Sequence, residues 1–126
     1  NLDELEKIHN NMKKELMDDG IEILDIYICP HHWNEDCYCR KPMPGMLHRA
    51  SNDWQFRLDK TLLIGDDYRD CQASYNAGCK SVLIGNTSEL DKLLDYEKPI
   101  FKNNRLTDCI SNILDFFNSN NNNDNN

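Results

Sequence analysis

Between Cys29 and Cys39 the chain packs three thiols and two imidazoles, in the order Cys29-Pro-His31-His32-Trp-Asn-Glu-Asp-Cys37-Tyr-Cys39. This segment constrains the fold more than any other. Zinc takes four nitrogen or sulfur ligands in a tetrahedron, and structural sites are filled by protein alone. Cys29 and His31, two apart, approach an ion from one side. Cys37 and Cys39, also two apart, approach from the other, with a loop reversal between them. A three-cysteine, one-histidine site results, with His32 a substitute for His31 rather than a fifth ligand. The alternatives are a Cys29–Cys37 or Cys29–Cys39 disulfide, or three unrelated thiols. With four protein ligands there is no position for a reacting water, so the expected zinc is structural.

Around this loop the pattern is α/β. Leu2, Leu5, Ile8, Met12 and Leu16 recur at helical spacing, predicting a helix over 2–19 that stops at Gly20. Ile21 to Ile28 reads as a mostly buried strand, and 29–45 as a long loop. A short helix is expected over Met46–Asp53, a strand over Thr61–Ile64, and a helix over Asp67–Ala77 closed by Gly78. A strand over Ser81–Ile84 follows. A helix capped by Thr87 or Ser88 is then expected to run to about Leu94. Pro99–Lys102 reads as an edge strand and Leu106–Phe117 as a last helix, with Ile110, Ile113, Leu114 and Phe117 on one face. Strands alternating with helices predict a Rossmann-like, largely parallel sheet with flanking helices. Such sheets place their sites at the carboxyl ends of strands, here marked by Cys29, Asp66 and Gly85. The 126 residues are expected to divide into one partial domain, 1–117, and a disordered Asn-rich tail, 118–126. The chain opens on Asn1 inside a helical pattern, and a partial chain is the simplest reading.

Charge and cysteine usage narrow the function. A net charge of −8 argues against nucleic acid or an anionic membrane as partner. No apolar run is long enough to span a bilayer. With no secretion signal in view, metal ligation or buried thiols account for the six cysteines better than disulfides do, and a cytoplasmic location is expected. Cys71, Cys79 and Cys109, among apolar neighbours, read as small buried side chains.

Two further features carry chemistry. Leu62-Leu63-Ile64-Gly65-Asp66-Asp67-Tyr68-Arg69-Asp70 is a strand, a sharp turn and a helix start. Carboxylates gathered at one point repel unless a cation lies between them, and Mg²⁺ favours one or two of them with phosphate oxygens. Helix capping by Asp66 or Asp67 competes with that reading. Arg40 and Lys41 directly follow the last thiol of the loop. An acidic protein that binds phosphate needs such placed cations, Arg as a fork and Lys as a point charge. An ordinary solvated surface pair is the alternative.

Cys-Pro-His-His, Cys-x-Cys-Arg-Lys-Pro-x-Pro-Gly-Met and Gly-Asp-x-x-x-Asp together resemble the D-glycero-D-manno-heptose 1,7-bisphosphate phosphatase family of the haloacid dehalogenase superfamily. The resemblance covers roughly residues 1–115. It implies a structural Zn²⁺ on Cys29, His31, Cys37 and Cys39, and a catalytic Mg²⁺ supported by Asp66. It implies that Arg40 and Lys41 bind substrate phosphate, and that Lys41 also stabilises the nucleophile. The partner it implies is a small phosphorylated molecule. The implied reaction is phosphoryl transfer to an Asp followed by hydrolysis. That nucleophile belongs to an Asp-x-Asp strand, and a later strand ends in a phosphate-binding Ser or Thr. Neither occurs here, so this chain alone is expected to be inactive, with a missing N-terminal segment as a possible partner. Where the family has Lys after the aspartate matching Asp66, this chain has Asp67. Histidinol-phosphate phosphatase shares the loop spacing and is the alternative activity. A non-catalytic zinc-binding remnant of the fold is the alternative in kind.

Overall fold

The structure is a computed structural model that describes residues 1–32, 35–85 and 88–124. Its centre is a three-stranded parallel sheet, β1 (Leu62–Gly65), β2 (Lys80–Ile84) and β3 (Phe101–Asn103), in the order β1-β2-β3. Leu63 stands beside Ser81 in the first pair and Val82 beside Phe101 in the second. β2 is the continuous apolar run that a parallel strand covered on both faces must be. Ser81, Val82 and Leu83 are all buried. The α/β reading holds, and β3 is an edge strand as expected.

Four helices accompany the sheet: α1 (Leu2–Asp18), α2 (Gly45–Trp54), α3 (Tyr68–Ala77) and α4 (Ile110–Asp124). Asn1 caps α1 by accepting from the Glu4 amide, and Gly20 follows the helix with φ +83°. α3 covers β1 and β2, and Gly78 closes it in the left-handed conformation. The core lies between α3, β2 and the turn after it. Cys71, Leu83 and Leu93 form it, with Tyr68 and Leu90 packed against them. Cys71, Cys79 and Cys109 are buried, and all six cysteines are free.

Two expectations are corrected. Residues 21–28 form no strand. A strand exists only where a partner supplies a hydrogen-bonding ladder, and this segment pairs with none of the three strands. Its Ile21 and Leu24 remain exposed. The helix expected up to Leu94 is instead a pair of 3₁₀ turns, Leu90–Lys92 and Asp95–Glu97. Thr87 lies outside the described residues, and Glu89 at the N-cap makes no side-chain cap bond. So short a segment does not offset the cost of nucleating an α-helix. The last helix, α4, runs to Asp124. Once a helix is nucleated, each further residue adds a bond, and Asn is only a modest helix breaker. Among the described residues, no helix is long and apolar enough to cross a membrane.

Candidate functional site

The four expected ligands converge. One donor atom from each of Cys29, His31, Cys37 and Cys39 lies within 4.8 Å of every other. Cys29 Sγ is 3.5 Å from His31 Nδ1 and 3.6 Å from Cys37 Sγ. Cys39 Sγ lies 3.1 Å from His31 Nδ1 and 2.9 Å from Cys29 Sγ. Ligands at zinc–sulfur distance in a tetrahedron stand about 3.7 Å apart. The donor set therefore fits a zinc ion in kind and number; the Cys29–His31 and Cys29–Cys37 separations match that spacing, and the two to Cys39 are tighter. Crowding splits the thiols. Hydrogen bonds from Cys39 and His31 pull Cys29 down to about 6, and the bond to Cys29 pushes Cys39 up to about 11. One thiolate is thus already favoured in the cluster.

The loop leaves the cluster through Arg40 and Lys41, and the two cations diverge. The Arg40 guanidinium donates to the His31 carbonyl and ties the loop's exit to its entry. Lys41 Nζ pairs with Asp70 Oδ1 at 2.9 Å. Asp70 is nearly buried, and its Oδ2 also accepts from the Asp67 amide at 3.2 Å. A second bond, from Asn76 Nδ2 to the Pro42 carbonyl at 3.0 Å, holds the next residue of the loop to α3.

The carboxylate turn divides its labour among three residues. Asp67 caps α3, accepting from the Arg69 amide at 2.8 Å, while Asp70 completes the capping box. The Arg69 guanidinium, and then its amide, hold the Asp67 carboxyl down to about 2. Asp70 belongs to Lys41. Among the described residues only Asp66 of the three keeps an exposed carboxylate with no hydrogen bond or ion pair, at the carboxyl end of β1. It opens onto a cavity of about 150 Å³ shared with Asp67 and Glu89. A hard cation that needs one protein carboxylate and other oxygen donors fits Asp66. Of the two roles that competed in the sequence, capping falls to Asp67.

Gly65 makes this turn possible. A Cβ there would lie 2.5 Å from the Asp70 Cβ and would also strike its carboxylate. Opposite, Lys41 and Asp70 border a mostly apolar cavity of about 220 Å³, with Tyr27, Met46 and Leu63 on its walls.

The structure thus joins Lys41 to the carboxylate turn and the four ligands to one another, and turns Arg40 toward the loop. Sequence reading left Asp70 without a role and did not find Asn76. The four-residue step from Asp66 to Asp70, one helical turn, was the available signal for the first. A helix-end Asn bonded to a distant carbonyl leaves no pattern.

Comparison with known proteins agrees with this geometry. The family model for HAD-hydrolase-like proteins matches residues 38–109, more than half of the chain. A D-glycero-alpha-D-manno-heptose-1,7-bisphosphate 7-phosphatase of Photorhabdus laumondii is 36% identical over 106 residues, covering 75% of this chain and 55% of its own. The D-glycero-beta-D-manno-heptose-1,7-bisphosphate 7-phosphatase of Yersinia pestis is 34% identical over 85 residues, covering 62% and 45%. The crystal structure of D,D-heptose 1,7-bisphosphate phosphatase from B. bronchiseptica, complexed with magnesium and phosphate, superposes with a TM-score of 0.60. It is 36% identical and covers 64% of this chain and 45% of its own. The chain spans about half the length of the relatives it matches. Its parallel sheet, its carboxylate turn and the extent of the family match lead to one assignment: the chain belongs to the HAD-hydrolase-like family.

Proposed function

We propose that these residues are the metal-braced, phosphate-binding portion of a phosphoric monoester hydrolase acting on a sugar bisphosphate of the D-glycero-D-manno-heptose 1,7-bisphosphate type. One observation carries the reading. A loop fixed by a four-ligand cluster delivers Lys41 to Asp70, one helical turn from the exposed Asp66. A cation and a free carboxylate are thereby held at the carboxyl end of β1, where sites of parallel sheets lie.

Each residue then has a task. Cys29, His31, Cys37 and Cys39 hold a structural zinc that stiffens the loop. Lys41 offers its ammonium to a phosphoryl oxygen, and the Asp70 bond fixes where that charge stands. Arg40 is the second phosphate contact. Its bond to the His31 carbonyl uses one of five guanidinium donors, which leaves the others for an anion. Asp66 supports Mg²⁺, which when bound neutralises charge on the phosphoryl group. The domain is residues 1–117. Six free thiols suit a reducing, cytoplasmic setting.

A phosphate-release assay on the intact protein, with heptose 1,7-bisphosphate, its monophosphate and histidinol phosphate, tests the proposal. Turnover of the bisphosphate at least tenfold above the others, dependent on added Mg²⁺, is expected. Preference for histidinol phosphate would transfer the assignment to that substrate. No release from any of the three would reject a phosphatase.

A further inference from the structure

The segment that delivers Cys29 to the metal has no backbone ladder to hold it. Two long-range side-chain bonds hold it instead. Tyr27 Oη donates to Asp53 Oδ2 at 2.8 Å, and Trp54 Nε1 donates to Asp25 Oδ2 at 3.2 Å. Asp25 and Tyr27 are two apart, so in extended chain they share a side. Their partners are adjacent at the C-terminal end of α2. Arg49, one turn earlier, lies 5.5 Å from the centre of the Tyr27 ring and 3.9 Å from Asp53.

The other half of the loop is fastened to the opposite end of the same helix. The Tyr38 carbonyl accepts from the Gly45 amide at 2.9 Å, and the Tyr38 hydroxyl meets His48 Nδ1 at 2.8 Å. A Cβ at Gly45 would collide with the Tyr38 backbone. Tyr38 lies between the ligands Cys37 and Cys39, and Tyr27 lies two residues before Cys29. One ten-residue helix, about 15 Å long, thus sets the spacing of both halves of the donor set.

We propose that Tyr27 and Asp53, supported by Asp25 and Trp54, are positioning residues of the metal centre. They register Cys29 and His31 against α2 so that these ligands meet Cys37 and Cys39 without the metal having to order the segment. The proposal rests on reading the cluster as a metal site. Residues that orient ligands, once removed, typically weaken metal binding 10- to 100-fold with the ligands intact.

Cobalt(II) is the probe, because thiolate ligation gives it intense absorption bands. The 126-residue chain is titrated with Co²⁺ as parent, Tyr27→Phe, Asp53→Asn and the double variant, and Asp59→Asn serves as a control that breaks the remote Arg57–Asp59 pair. Urea unfolding of the metal-free forms is measured alongside. Each single variant is expected to bind Co²⁺ at least tenfold more weakly. The double variant should fall within about threefold of the singles, the saturated spectrum should not change, and the control should match the parent. Binding by Tyr27→Phe and Asp53→Asn within twofold of the parent would overturn the proposal. So would a loss shared by Asp59→Asn, or one that merely tracks the loss of metal-free stability. A parent without cobalt–thiolate bands would reject the metal site itself, a result distinct from equal binding by parent and variants.

Discussion

The sheet and the metal loop are stabilised in different ways. In β1, β2 and α3, backbone ladder bonds run alongside buried apolar contacts, and Val82, Leu83 and Cys71 have almost no exposure. Among the described residues of 25–41 the chain makes no ladder with the sheet and every side chain is half-buried or exposed, and α2 itself buries none of its residues. That region is held by named side-chain bonds and by four donors around one point. The Lys41–Asp70 and Asn76–Pro42 bonds join the two regions. A fold can thus use burial for the platform that carries its carboxylates, and ligand chemistry for the arm that carries its cation.

The largest effect that separates the regions is loss of metal. Cys37→Ser with Cys39→Ser should reduce bound zinc from about one per chain to none, read by elemental analysis, with the far-UV circular dichroism of the sheet region little changed. Full zinc retention would break the comparison at its first point. Leu83→Ala makes the opposite demand. Removing a fully buried Leu should destabilise the chain by about 2–5 kcal/mol in urea unfolding, yet leave the zinc stoichiometry of the folded fraction unaltered.

A smaller effect belongs to the α3 cap. Asp67→Ala should cost about 1 kcal/mol, as lost N-caps do. The Asp67 carboxyl, at about 2, lies below the ordinary value of 3.8. Its contribution is therefore present above pH 4 and lost as pH falls toward 2. The stability gap between parent and Asp67→Ala should shrink across that window, and a gap that is constant or widens on acidification would show that Arg69 does not hold the charge. Smallest for stability is Ile64→Lys on β1, whose other edge pairs with no described strand. It should lower concentration-dependent association in sizing chromatography by placing charge on an open edge.

These two regions were also unequally legible. Buried β2 announces itself as an apolar run, and Gly78 after Ala77 marks a helix stop, because the forces there are local or periodic. The convergence of Cys29, His31, Cys37 and Cys39 was legible from chemistry and spacing. The apolar run at 21–28 misled, because a strand is defined by its partner and composition does not supply one. Asp25, Tyr27, Asp53 and Trp54 left no trace, since pairs 26 and 29 residues apart form only after α2 is placed. Asp67 and Asp70 could be seen as a group, but which one caps and which one holds Lys41 is decided by the turn at Gly65 and the entry of the loop.

The account depends most on Lys41, the residue at which the cysteine–histidine loop meets α3. The direct measurement is phosphate release by the intact protein carrying Lys41→Ala, with zinc content determined on the same sample. A preorganised charge contact of this kind is worth about 3 kcal/mol, so turnover should fall roughly a hundredfold with zinc still bound at about one per chain. Turnover within twofold of the parent, with zinc retained, would contradict the account and leave Lys41 a structural partner of Asp70.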